Sequence, residues 1–123
     1  MRLLLDTHIL LWTIAESGRL SAEARALIGD PEHQMTFSAV SLKSSRGRAD
    51  FRIDAGLLRR NLLDNGYAEL AVVGPHAVML TTLPVLHKDP FDRMLVAQAL
   101  VEGLTLVTAD RQVANYPGPV RLV

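Results

Sequence analysis

Met1-Arg2-Leu3-Leu4-Leu5-Asp6 is an apolar run closed by a carboxylate. Successive leucines with no polar alternation read as a buried β-strand. The pattern recurs at Leu104-Thr105-Leu106-Val107-Thr108-Ala109-Asp110, a second apolar strand followed by an acid. A third acid, Asp92, stands in His87-Lys88-Asp89-Pro90-Phe91-Asp92-Arg93, where Asp89-Pro90 opens a helix over 91–101 that Gly103 ends. Carboxylates at strand ends and helix starts of an α/β domain converge in the crevice beyond the carboxyl ends of the strands. Two such charges ~4 Å apart repel by roughly 4 kcal/mol at an effective dielectric of ~20. A cluster of this kind holds a proton or a divalent cation.

The chain between these landmarks alternates strand and helix. A helix is expected over 7–16, with Ile9, Leu10, Trp12, Thr13 and Ile14 crowding one side. Ser21 and Gly29 bracket a short second helix. A strand follows over 34–38, then a helix from the Asp54 cap to Asn65-Gly66, a strand over 69–73 and a helix from Pro75 to about Leu80. Residues 104–107 form a strand, and 120–123 a final one. The reading is a single α/β domain, 1–123, with a mostly parallel sheet and helices on both faces. One segment resists it. Ser38-Ala39-Val40-Ser41-Leu42 starts like a helix, but Lys43-Ser44-Ser45-Arg46-Gly47-Arg48 offers no apolar side chain to pack.

Composition narrows the chemistry. Hydrophobic residues make up 49% and charged residues 21% of 123, as in a globular domain. The absence of cysteine excludes disulfides, thiolate metal sites and cysteine nucleophiles. Asp6 interrupts the apolar start, so no signal peptide is read, and no apolar run approaches the ~18 residues of a membrane span. A cytoplasmic location, with no membrane partner, is the expectation. Net charge is zero, but from Lys43 to Arg60 six basic residues face two acidic ones, a local balance of +4 that leaves −4 on the rest. A basic flank beside an acidic pocket suits a polyanion, although charge alone favours a solvated helix and loop face.

Each acid also has a plain structural reading, as a helix N-cap or as a first-turn charge favoured by the helix dipole. The four histidines lack helical zinc spacing, and the serines lack a nucleophile elbow. No glycine-rich phosphate loop is present. Trp12 reads as core or interface.

Taken together, Leu3-Leu4-Leu5-Asp6-Thr7-His8, Phe37-Ser38-Ala39-Val40-Ser41, the stretch from His87 through Asp89-Pro90-Phe91-Asp92-Arg93 to Ala99, and Leu106-Val107-Thr108-Ala109-Asp110 resemble PIN domains, above all VapC-type toxins of bacterial toxin–antitoxin pairs. The resemblance implies a PIN-like three-layer sandwich and a Mg²⁺- or Mn²⁺-dependent ribonuclease, often a homodimer, silenced by a cognate antitoxin. Asp6, Asp92 and Asp110 match the metal-binding, catalytic positions. Thr108 and Ser38 match the hydroxyls that support them. Arg93 is expected to contact phosphate or pair with an acid, and Lys43, Arg46 and Arg48 to guide the RNA. The family pattern also places a Glu shortly after Ser-Ala-Val-Ser, where this chain runs Leu42-Lys43-Ser44. About five residues are missing there. A deletion, an engineered removal or an omitted stretch would each produce the junction. If the acid is truly lost, the alternative reading is a catalytically degenerate PIN-like module that binds an antitoxin without cleaving RNA. A response-regulator-like domain is disfavoured, since no Asp-x-Asp follows the first strand and no lysine lies between Leu104 and Asp110. Leu11 and Trp12 are expected to line an apolar groove for the antitoxin or for a second copy.

Overall fold

Period-two geometry sends neighbouring side chains of a strand to opposite faces, and in β1 (Arg2–Leu5) this splits the leucines between two cores. Leu3 and Leu5 join one cluster, Leu4 the other. The computed structural model describes residues 1–44 and 54–123. Its further elements are α1 (Thr7–Ile14), α2 (Ala22–Gly29), β2 (Gln34–Ser38), α3 (Ala39–Ser44), α4 (Ala55–Asp64), β3 (Ala68–Leu70), α5 (Gly74–Leu80), α6 (Pro90–Glu102), β4 (Thr105–Thr108), α7 (Arg111–Ala114) and β5 (Val120–Leu122).

The five strands form one sheet in the order β3-β2-β1-β4-β5, and every pairing is parallel. The register sets Leu4 beside Leu106 and Leu5 beside Val107. On one face, Leu3, Leu5, Phe37 and Val107 pack against Ile9, Leu10 and Leu11 of α1, Ala24 and Leu27 of α2, and Leu58 and Leu62 of α4. On the other, Leu4 and Leu106 pack against Leu95, Val96 and Ala99 of α6 and Val113 of α7, with Met79 and Leu80 of α5 at the margin. The three layers are those expected.

The ends of the elements differ from the sequence reading for local reasons. α1 stops at Ile14 because Ala15 caps it and Glu16 turns left-handed at φ 52°. β3 is cut to residues 68–70, and Val72 and Val73 are exposed. α3 is a real helix of six residues, held by the buried Ser41 and by half-buried Val40 and Leu42. α6 ends as expected at Gly103, whose φ of 68° a side chain would strain.

Candidate metal centre

The chain leaves β1 for α1 on one face and leaves β4 for α7 on the other. Adjacent parallel strands whose following helices diverge leave a crevice at their carboxyl ends. Asp6 and Asp110 stand at its two rims, as the N-caps of α1 and α7. Asp6 Oδ1 accepts from Ile9 N–H at 3.2 Å and Asp110 Oδ1 from Gln112 N–H at 2.8 Å. Capping and site membership are therefore not exclusive, because each carboxylate gives one oxygen to its helix and keeps the other. Asp89 is the cap of α6, accepting from Phe91 N–H at 2.9 Å, which leaves Asp92 in the first turn free for other partners.

Those second oxygens meet a shared set of neighbours. The Thr108 hydroxyl donates to Asp6 Oδ2 and accepts from Asp110 N–H at 3.0 Å, joining the two rims. Asp92 Oδ2 and His87 Nε2 share a hydrogen bond of 2.9 Å, and the same nitrogen lies 3.8 Å from Asp110 Oδ2. One ligand atom from each of His87, Asp92 and Asp110 fits within 4.8 Å of the others. Asp6 is buried, 4% exposed, and lies in the same cleft. Burial raises its pKa against the opposing hydrogen bond from Thr108. Asp92 is pushed up to about 6, by burial first, then by the charges of Asp89 and Asp6, with His87 opposing.

Motif reading puts His87 near the acids along the chain, as a substrate contact at most, and not among the groups that pair with them. Its spacing from Asp92 matches no metal pattern, and nothing local marks it except position, five residues ahead on the loop into α6. Tyr116, 3% exposed, fixes that loop: its hydroxyl accepts from the N–H groups of Leu86 at 3.2 Å and His87 at 2.9 Å. No sequence signal tied Tyr116 to the site.

Other expected residues fall outside the cluster. Ser38 is buried at the end of β2, and its hydroxyl accepts from Val40 N–H at 3.2 Å, starting α3. Beside it, the Thr7 hydroxyl donates to Ser41 at 3.0 Å, tying α1 to α3. Arg93 meets neither a phosphate-facing cleft nor an acid in its described contacts. It is half-buried and donates to the Leu83 carbonyl at 3.4 Å, because the first turn of α6 turns it towards the preceding loop. Lys43 is exposed in the last turn of α3. Arg46 and Arg48 lie outside the described residues. Leu11 corrects the groove expectation: it is 1% exposed and packs in the core. Trp12 is half-buried and lines a cavity of about 340 Å³ with Asp6, His8, Ala109, Asp110 and Arg111.

The sequence matches the family model of the PIN domain over residues 3–119. The chain belongs to the PIN domain family. No curated protein matches the sequence. Among solved structures, this PIN domain resembles a chain of VapBC2 from Rickettsia felis bound to a promoter DNA fragment, with a TM-score of 0.73 at 14% identity over 99% of this chain and 98% of that one. It resembles DNA-bound VapBC from Salmonella typhimurium, with a TM-score of 0.68 at 18% identity over 98% and 97% of the two chains. A toxin–antitoxin complex from Klebsiella pneumoniae gives a TM-score of 0.66 at 21% identity over 96% and 94%. At these identities the likeness is one of fold. Where the resemblance places a fourth acid, α3 of this PIN domain carries Leu42 and Lys43.

Proposed function

We propose that this PIN domain is the toxin of a toxin–antitoxin pair and a divalent-metal-dependent ribonuclease, with Asp6, Asp92 and Asp110 as its metal-holding carboxylates. The observation that carries the reading is the convergence of these acids in one crevice, within reach of each other's charge. The donor set fits a hard cation, since carboxylates suit Mg²⁺ and Mn²⁺, and Mn²⁺ tolerates a nearby imidazole better. Such an ion lowers the pKa of a bound water and offsets charge on phosphate oxygens. The protein's own contribution is positional. Helix starts fix Asp6 and Asp110, Thr108 sets the carboxylate plane of Asp6, and Tyr116 holds the His87 loop. His87 sits between Asp92 and Asp110, where it partners Asp92 and limits repulsion when no cation is bound. Lys43, with Arg46 and Arg48 from the basic segment, is assigned to the RNA backbone. Single-stranded or looped RNA is the substrate form, because A-form grooves hide the base edges. An antitoxin arginine entering the acidic cleft would replace the cation's charge. A homodimer in the cytoplasm completes the reading.

One observation favours a second reading. α3 offers Lys43 where an acid is expected, and a site with too few carboxylates would bind an antitoxin without cleaving RNA. Incubation of the purified chain with single-stranded RNA and Mg²⁺ or Mn²⁺ separates the two. Cleavage that disappears in excess chelator and in Asp6→Asn supports the enzyme. Cleavage that persists in either sinks the metal mechanism, and no cleavage with retained antitoxin binding supports the module.

A further inference from the structure

The cavity beside the acids has a wall that metal chemistry does not explain. His8 is exposed on the first turn of α1, and Trp12 lies one turn on, at the i+4 position that shares its face. Their ring centroids are 5.6 Å apart and their planes tilted by 39°. The pair lines the 340 Å³ hollow together with Asp6, Ala109, Asp110 and the exposed Arg111. That volume is at the small end of the range for organic ligands.

From this we infer that the hollow is a nucleobase subsite. The inference rests on the ribonuclease reading above. A strand whose phosphate lies at Asp6 and Asp110 must put the next nucleotide within one backbone step, and the hollow begins at those same two residues. Aromatic faces seat bases of any identity, whereas hydrogen-bonding edges would select one. The rings of His8 and Trp12 both line the hollow, so the subsite orders the strand by stacking, without fixing its sequence. Arg111 contacts the flanking phosphate, a positioning contact carrying no base information.

Trp12 is the single tryptophan of the chain, so its emission reports on this wall alone. The test titrates Asp92→Asn, chosen to bind without turnover, with a labelled single-stranded hexaribonucleotide in Mg²⁺. Binding is read by anisotropy of the label and stacking by quenching of Trp12. A second oligonucleotide has the same backbone with abasic sites. The expected result is quenching by the base-bearing strand, none by the abasic one, and about ten-fold weaker binding of the base-bearing strand to His8→Ala in the same background. His8 is exposed, so this change leaves the core intact. If the Asn variant holds no RNA while the wild type cleaves it, KM decides: a roughly ten-fold rise in His8→Ala supports the subsite and an unchanged KM overturns it. RNA binding with unaltered emission, or equal effects of the two strands, overturns the subsite and leaves the ribonuclease standing. Emission that follows protein concentration and ignores RNA assigns the wall to self-association and also overturns it. Neither binding nor cleavage of RNA removes both readings together.

Discussion

Asp92 shows how one carboxylate carries the tension of the whole centre. Burial and the charges of Asp89 and Asp6 raise its pKa to about 6, against an ordinary value of 3.8. A carboxyl raised on folding is protonated more readily in the folded chain than in the unfolded one. Its contribution to stability is complete below about pH 4 and is lost as pH climbs through about 6. The metal-free protein should therefore lose on the order of 2 kcal/mol between pH 4 and 7 through this group. Asp92→Asn, which cannot ionise, should flatten that part of the profile and be the more stable form at pH 7 without metal. Urea denaturation of both proteins across this range in chelator checks it. Parallel profiles for the two would show that Asp92 is not the strained acid.

At the scale of elements, the Tyr116–loop contact ties α7's end to the entrance of α6. Tyr116→Phe keeps the ring in its core and removes the acceptor for Leu86 and His87 N–H. Leu86 N–H keeps the Pro84 carbonyl at 3.1 Å, so the half-buried His87 N–H is the donor left unmatched, at a cost of about 1 kcal/mol. The prediction is a loss of that size in denaturant stability together with weaker Mn²⁺ binding, measured by calorimetry. Weaker stability with unchanged metal affinity would confine Tyr116 to the fold. This contact also marks where sequence reading ended. The strands, the caps at Asp6, Ser21, Asp54, Asp89 and Asp110, and the Gly103 stop were all legible, because each is a local signal of one or two residue types. The convergence of Asp6 and Asp110 followed from strand ends in a parallel sheet. The pairing of His87 with Asp92, and the hold of Tyr116 on the His87 loop, were not legible. The link from Tyr116 to His87 spans 29 residues and depends on how two loops pack. Leu11 failed for a related reason. α1 is apolar on more than one side, and only the path of α2 and α4 over it settles which side is buried.

For the whole molecule, a sheet wound in both directions from β1 makes the centre a junction between two half-folds. Asp6 enters from the start of the chain and Asp110 from near its end, bridged by Thr108, 102 residues from Asp6. On the proposed reading, a cation held across this junction would bind the folded chain in preference to the unfolded one, and would stabilise global folding and not one loop. At a hundred-fold excess over its dissociation constant the gain is about 2.7 kcal/mol. Mn²⁺ or Mg²⁺ should thus raise the melting temperature of the wild type by several degrees, as expected for a domain of this size. The gain should grow from pH 5 to 7, as Asp92 gives up its proton and the cation no longer competes with it. Asp6→Asn and Asp110→Asn should each reduce the gain strongly, although their carboxylates stand on opposite rims of the crevice. A shift that survives in one of these variants would assign the ion to a site on the other half alone, and the junction would then be a feature of packing without a role in holding metal.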